Sequence, residues 1–551
     1  MKNKKNVIFI VIDAVRSYSS GLDERDRLEV FDNLIKKEYF VFDKLVVSAP
    51  SSLMSSITML TGLPSFSLAQ NYNDFSWNED LYNILPLNLK ELGYDCYGLF
   101  TAKEMRDKTK SILPPIKKEF LPNGVNIRQR SWSNESLLKV VKNTFEKSID
   151  KTTNPFFLMA WFNSRYDTQT SSIIDSLINY ISKKSYYDDT LIIVTADHGY
   201  PDQRRGLTSD GPDLKKAGKP HDLIVTDDNI SVPLAIRFPN DYKSNNLLLE
   251  NFPNRYIKNV LSQESILPTI FEVLDHNPEH KYLRPERRSI TSELIEPNDN
   301  PIRSDARFIF QPNRISSIRA SDRKYVADRE LDEEFCYDLL KDPFEKNRLQ
   351  ISEIDVSDLK NFYINSEEAA FEIWTEKISN NMQSIKLEKY LCSQNFEVFY
   401  LGATNFINPV LKTLKKYNAT INLYSDNKIL KLLDDDLYDN YFEIEKKIKV
   451  EKALVFIEDT FNTNFVDQLK LINAQTIAII DTNMNVYTSR RKLVFKSFVN
   501  WSFGPIQRMM WKKDVYKSHP TLFFDDVLYI FKRTIFLAYK KITFFLHKNK
   551  K

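Results

Sequence analysis

Glycine is scarce in this chain. Eleven of 551 residues are glycine, about 2% where soluble proteins average roughly 7%. Nine of the eleven lie at or before Gly218, so backbone freedom is concentrated in the N-terminal part. Cysteine is scarcer still. Cys96, Cys336 and Cys392 are the only three, which excludes a disulfide framework and a four-cysteine zinc site. Long apolar runs are missing too, since none reaches the roughly 18 residues of a membrane span. The basic Met1–Lys5 start is followed by an apolar run, Val7–Ile12, that stops at Asp13. A secretory core needs roughly 7–15 apolar residues, so the run reads as a buried first strand and the chain is expected in the cytoplasm. Charge of one sign is also absent. With 77 Lys and Arg against 74 Asp and Glu, the net charge is +3, and there is no nucleic-acid footprint.

What is present is a long globular chain, 42% hydrophobic and 27% charged. Its length suits two to four domains at roughly 100–200 residues each. Short β-branched runs alternate with amphipathic stretches, which predicts an α/β architecture around a mostly parallel sheet. Asn6–Ile12, Asp95–Phe100, Pro155–Phe162, Thr190–Thr195 and Val232–Arg237 read as strands. Leu81–Leu92 (ended by Gly93), Ser133–Ser148 and Ser171–Lys184 read as helices. The alternation continues around Ser265–Leu274, Lys324–Leu349 closes this unit, and a polar helical linker follows. The expected divisions are 1–350, 351–389, 390–500 and 501–551.

Four groups could carry chemistry. Asp13 directly follows the first strand, and ligands of open parallel sheets sit outside the carboxyl ends of strands. Asp197-His198-Gly199 follows another strand and offers a carboxylate and an imidazole to a divalent cation. Ser48 to Gly62 is a hydroxyl-rich segment leading into a helix, so Ser52 falls near a helix N-terminus that favours negative charge. His221, in Lys219-Pro-His221-Asp222, is one of six histidines and precedes a further strand. Each has a plainer alternative: a turn acid for Asp13, an ordinary helix cap for Ser52, a surface-loop histidine for His221.

In order and spacing these pieces resemble the sulfatase branch of the alkaline phosphatase superfamily. The matching stretches are NVIFIVIDAVR, Phe42 with Ser52 ten residues on, SLMSSITMLTG, LKELGYD, PFFLMAWF, DDTLIIVTADHG, VPLAIRFP and YDLLKDPFEKNRL. They span residues 4–350. The resemblance implies a mixed sheet sandwiched by helices and a metal-assisted transfer at phosphorus or sulfur. Asp13, Asp197, His198 and Ser52 would hold a divalent ion (Mn, Mg, Ca or Zn), and Ser52 would be the nucleophile. Arg16, Lys219 and His221 would bind an anionic ester substrate, glycan- or lipid-linked, in cell-surface polysaccharide or glycolipid biosynthesis. A catalytically degenerate scaffold in a polysaccharide-synthesis complex is the alternative.

The departures from the family pattern sharpen this. Ser52 is followed by Leu53-Met54-Ser55-Ser56, without the Pro or Ala and the Arg needed for oxidation to formylglycine. The Gly-Lys-Trp-His segment is replaced by Gly98 to Lys103, the histidine after PFFL by Asn163 to Asp167, and the second acid after Asp13 by Ala14. This is the pattern of phosphotransferase and phosphodiesterase branches with an unmodified Ser or Thr nucleophile.

Beyond the linker, Glu397–Leu401, the turn at Gly402, Pro409–Lys416 and Thr420–Tyr424 outline a Rossmann-like βαβ unit, with Ala453–Ile457 and Thr476–Ile480 as further strands. Dinucleotide binding wants G-x-G-x-x-G, but Thr404 and Ile407 stand at the later glycine positions, so no NAD is expected. From Ile506 to Lys551 there are eleven Lys and Arg against three Asp, an excess of +8. At about 100° per residue, Val527–Lys551 forms a partly amphipathic basic helix. It reads equally as an anchor for an anionic membrane surface, at the inner face, or as a helix packed on the domain core.

Overall fold

The computed structural model describes residues 5–17, 29–65, 85–100, 133–162, 169–201, 224–276, 288–297, 300–306, 315–328 and 333–369. In the C-terminal part it describes 395–401, 411–412, 414–415, 420–425, 438–443, 448–457, 471–481 and 486–487. Lys219, His221, the turn at Gly402 to Ile407, Asn163–Asp167 and the basic segment 501–551 lie outside the described residues.

The first unit opens with β1 (Asn6–Ile12), α1 (Glu29–Ile35), β2 (Phe40–Val46), α2 (Ser52–Thr61), α3 (Leu85–Glu91) and β3 (Asp95–Phe100). It continues through α4 (Asn134–Lys147), β4 (Phe156–Phe162), α5 (Thr170–Ile181), β5 (Thr190–Ala196), α6 (Asp227–Ile230) and β6 (Ser231–Arg237). Then come α7 (Asn245–Asn251), β7 (Tyr256–Ser262), α8 (Ile266–Val273) and α9 (Ile290–Ile295).

The seven strands form one mixed sheet in the order β3-β4-β1-β5-β6-β2-β7. β1, β4 and β5 are buried along their whole length, which explains their near-continuous apolar sequence. Each fully buried large side chain, such as Phe9 or Trp161, contributes roughly 1.5–3 kcal/mol of transfer free energy. The sheet is mostly parallel and mixed, as the resemblance implied: β6 runs antiparallel to both neighbours, β5 and β2. The apolar run VPLAIR by itself carries no direction. Pro233 lies opposite the place where the β2–β6 register slips, between Phe42 and Leu45. A residue without a donor fits best where the ladder is already interrupted.

The helices pack in two groups, α1 and α4 against α5, and α2 and α9 against α8, with α3 beside α2. α2 ends as its Thr-Gly sequence predicts: Gly62 is left-handed (φ 68°) and its N–H returns to Thr58. Ser133 caps α4 by accepting from Ser136 N at 3.3 Å.

A second, antiparallel sheet follows, built from β8 (Ile302–Ala306), β9 (Ile315–Arg319), β10 (Arg323–Asp328) and β11 (Glu333–Asp338) in the order β11-β10-β9-β8. It braces the segment that leads into α2, because Asp305 N donates to Ser48 O at 3.0 Å and Ser304 Oγ to Val47 O at 2.5 Å. A buried ion cluster ties it to α6. Arg319 reaches Asp227 Oδ2 at 2.9 Å, and Lys324 bridges Asp227 Oδ1 at 2.6 Å and Glu345 Oε1 at 2.5 Å.

The C-terminal sheet contains β12 (Asn395–Leu401), β13 (Thr420–Ser425), β14 (Asn440–Glu443), β15 (Ile448–Ile457), β16 (Ile472–Asp481) and β17 (Val486–Tyr487). Its order is β14-β13-β12-β15-β16-β17, parallel except for β17. Counted from β12, the five parallel strands run 3-2-1-4-5, the order of a doubly wound sheet. Rings of Phe399, Tyr424 and Phe442 stack across three strands at centroid distances of 4.5 and 4.9 Å.

The ion cluster gives a pH-dependent prediction. Burial alone would raise the Asp227 carboxyl, but Arg319 and Lys324 hold it well below its usual 3.8. A carboxyl depressed on folding contributes stability above its unfolded pKa, and that stability is lost as pH falls through the folded value. Lys324→Met removes one cation, so acid unfolding should begin at higher pH. At neutral pH the loss should be about 3–5 kcal/mol, as for a buried pair with one partner removed. Urea unfolding at pH 7, and an acid titration followed by tryptophan fluorescence, measure both.

Candidate active site

The site begins with strand register. β1 and β5 are parallel neighbours with Ile12 opposite Ala196, so the next residues, Asp13 and Asp197, leave the sheet side by side at its carboxyl edge. On the other flank Ile12 pairs with Phe162, and Asp13 N continues that ladder to Phe162 O at 3.1 Å. Ala14 then turns sharply in the left-handed region (φ 57°), a conformation that costs a residue with a side chain roughly 1 kcal/mol or more. The turn aims Ala14 N at Asp197 Oδ1, 2.8 Å away.

Asp197 is completely buried. Its Oδ1 accepts from Ala14 N and also from His198 N at 2.9 Å. Its Oδ2 has no hydrogen-bond partner and lies 3.4 Å from His198 Nε2. A buried carboxylate oxygen left unpaired costs on the order of several kcal/mol unless a cation compensates. His198 Nδ1 is 2.6 Å from Gly199 O. Because a carbonyl only accepts, Nδ1 carries a proton, and in the neutral ring Nε2 is then the free acceptor.

Ser52 is the first residue of α2, and Ser51 before it makes no side-chain cap hydrogen bond. Ser52 is thus not a helix cap. Its Oγ lies 3.2 Å from His198 Nε2 and 3.4 Å from Asp13 Oδ1. One ligand atom each from Asp13, Asp197 and His198 lies within 4.8 Å of the others. Among the described residues, no other group of three such side chains comes together in this way. Two carboxylates, one of them with an orphaned oxygen, and one imidazole nitrogen fit a divalent cation of borderline hardness.

Four of the seven residues read from the sequence, Asp13, Ser52, Asp197 and His198, are therefore brought together. Arg16 is buried three residues after Asp13, and the next residue, Ser17, bonds through its N–H to Ser231 O at 2.9 Å. Lys219 and His221 are outside the described residues.

The structure adds two features that the sequence reading missed. Gly199 is needed for packing. A Cβ there would sit 2.2 Å from the carbonyl oxygen of Asp228, because Gly199 N and Tyr200 N bond to Asn229 O and Asp228 O at 2.8 and 3.0 Å. Second, Ser55 Oγ donates to the backbone carbonyl of Asp197 and accepts from Gln263 Nε2 at 2.6 Å. Ser55 lay in the hydroxyl cluster, but its partner is 208 residues away and nothing local signals it.

A sulfatase family model matches residues 163–276, the stretch that holds β5, Asp197-His198-Gly199 and β6. No curated protein sequence matches the chain significantly. Among solved structures, the chain is similar to the phosphonate monoester hydrolase of Agrobacterium radiobacter at 14% identity and TM-score 0.47, covering 67% of this chain and 95% of that one. It is also similar to an alkaline phosphatase superfamily protein of Vibrio parahaemolyticus (15% identity, TM-score 0.44, 65% and 84% covered). A third is a protein solved with its substrate D-glucosamine-2-N,6-O-disulfate (13% identity, TM-score 0.46, 67% and 97% covered). Likenesses this distant carry no argument about the site, which stands on its geometry.

The close approach at Gly199 yields a stability prediction. Gly199→Ala should destabilise the fold by about 1–3 kcal/mol, the usual cost of overpacking, or force the segment at Asp228 apart. Chemical denaturation of the variant against the native chain reads the difference. Equal stability would show that the two segments separate freely.

Proposed function

We propose that this chain is a metal-dependent ester hydrolase or transferase related to the sulfatases, with unmodified Ser52 as its nucleophile. One observation carries the reading: Ser52 Oγ is within 3.4 Å of both Asp13 Oδ1 and His198 Nε2, beside the orphaned Oδ2 of Asp197. Asp13, Asp197, His198 and Ser52 would hold a divalent ion. When bound, such an ion lowers the pKa of a coordinated hydroxyl and stabilises charge developing on a phosphoryl or sulfuryl oxygen.

The chain's own residues supply the rest. Ser52 Oγ, its proton released to solvent, attacks phosphorus or sulfur as the bond to the departing alcohol breaks, and that alcohol takes up a proton from solvent. Water or an acceptor alcohol then displaces the seryl ester and restores Ser52. His198 holds its proton on Nδ1 toward Gly199 O, so Nε2 stays open on the side facing Ser52. The N-terminal turn of α2 favours negative charge where Ser52 stands. Arg16, Lys219 and His221 are assigned to the anionic oxygens of the substrate on sequence grounds.

The absence of the C/S-x-P/A-x-R pattern favours a phosphodiester or related phosphoester over a formylglycine-dependent sulfate ester. The basic stretch Val527–Lys551 supports a substrate presented at an anionic membrane surface, such as a lipid-linked glycan precursor at the cytoplasmic face. Among the described residues, no helix is long and apolar enough to cross a membrane.

The test uses the purified full chain, supplied with Mn2+, on chromogenic phosphodiester, phosphonate monoester and sulfate ester substrates. Ser52→Ala and Asp197→Asn should each lower turnover of the accepted ester by about 1000-fold or more, equivalent to about 4 kcal/mol of barrier. Circular dichroism should remain that of the native chain. Undiminished turnover in both variants, with the fold intact, sinks the proposal.

A further inference from the structure

We infer that Ser55 and Gln263 are positioning residues, which set the reach of Ser52 to the metal ligands without touching substrate. The inference rests on the reading of Ser52, Asp13, Asp197 and His198 as a metal-assisted site. Ser55 lies one helical turn beyond Ser52, and residues three apart share a helix face. Its hydroxyl donates to the backbone carbonyl of Asp197, so the helix that carries the nucleophile is fastened to the residue that carries the buried carboxylate. Gln263, in the short turn Gln263–Ser265 between β7 and α8, donates Nε2 to Ser55 Oγ at 2.6 Å. A hydroxyl that accepts from an amide has its own proton free to donate, which fixes the direction of the Ser55 bond.

At the helix start Ser51 makes no side-chain cap bond, so within α2 it is Ser55 that reaches Asp197. Both Ser55 and Gln263 are fully buried. Gln263 leaves its Oε1 without a hydrogen-bond partner, and a buried unsatisfied acceptor costs stability. Leucine would remove that orphan together with the donor. Residues of this kind behind metal ligands typically alter metal affinity by 10–100-fold.

The experiment is a Co2+ titration of the full chain, followed by the visible absorption of the bound ion, with thermal melting of each metal-free variant alongside. Ser55→Ala and Gln263→Leu should weaken Co2+ binding by about 10–100-fold and change the absorption band. Ser55→Thr, which keeps the hydroxyl, should restore both. The metal-free melting temperature of Gln263→Leu should not fall below that of the native chain. Should Ser55→Ala fail to fold, Gln263→Leu carries the test.

Native affinity and spectrum in Gln263→Leu overturn the inference, as does Ser55→Thr binding no better than a folded Ser55→Ala. In that case native binding that disappears in Asp197→Asn leaves the site reading standing. If the native chain binds no Co2+, the site reading and the positioning role fall together.

Discussion

The carboxylate of Asp197 is the point on which the rest of the site depends. Sealed from solvent, it is held on one oxygen by two backbone N–H groups, Ala14 and His198. The other oxygen is left facing Asp13, His198 and, through them, Ser52. That division needs adjacent parallel strands ending at equal height, a left-handed Ala14 and a glycine two residues on. The apolar interior of β1, β4 and β5 holds the strands in register. The cost of a buried half-satisfied carboxylate is borne by that core and is relieved only by a cation.

The elements around this point serve its geometry. The antiparallel sheet β8–β11 looks peripheral in sequence, yet Ser304 and Asp305 grip the chain just before α2. Its buried ion cluster fixes α6 through Asp227, and the adjoining Asp228 and Asn229 receive the N–H groups of Tyr200 and Gly199. The route from Arg319 and Lys324 to Gly199, next to His198, is therefore continuous in hydrogen bonds and backbone. From the other side, Gln263 and Ser55 tie α2, which carries Ser52, to Asp197.

The sequence exposed what repeats locally and hid what depends on distant partners. β1, β4, β5 and β6 are legible because strands buried on both faces are almost uninterruptedly apolar. Asp13 and Asp197 stood out because they follow such strands directly. By contrast β7, partly exposed along its length, has no clear period. The β8–β11 sheet was hidden because Arg303, Asp305, Arg319 and Lys324 are buried as ion pairs, and charges in a sequence read as solvent-facing. The reversed direction of β6 and the role of Gly199 both arise from tertiary contact. The immediate reason for Gly199 is the backbone of Asp228. The scarcity of glycine makes that position, and Gly62 at the end of α2, more informative than they would be in an ordinary chain.

On the proposed reading, these side chains surround one divalent cation within reach of Ser52. A crystal of the full chain grown with Mn2+, with data collected for anomalous scattering, tests it most directly. A single strong peak bounded by Asp13, Asp197 Oδ2 and His198 Nε2, with Ser52 Oγ facing it, is the expected result. An empty site at saturating Mn2+, or a peak with Ser52 turned away, would contradict it.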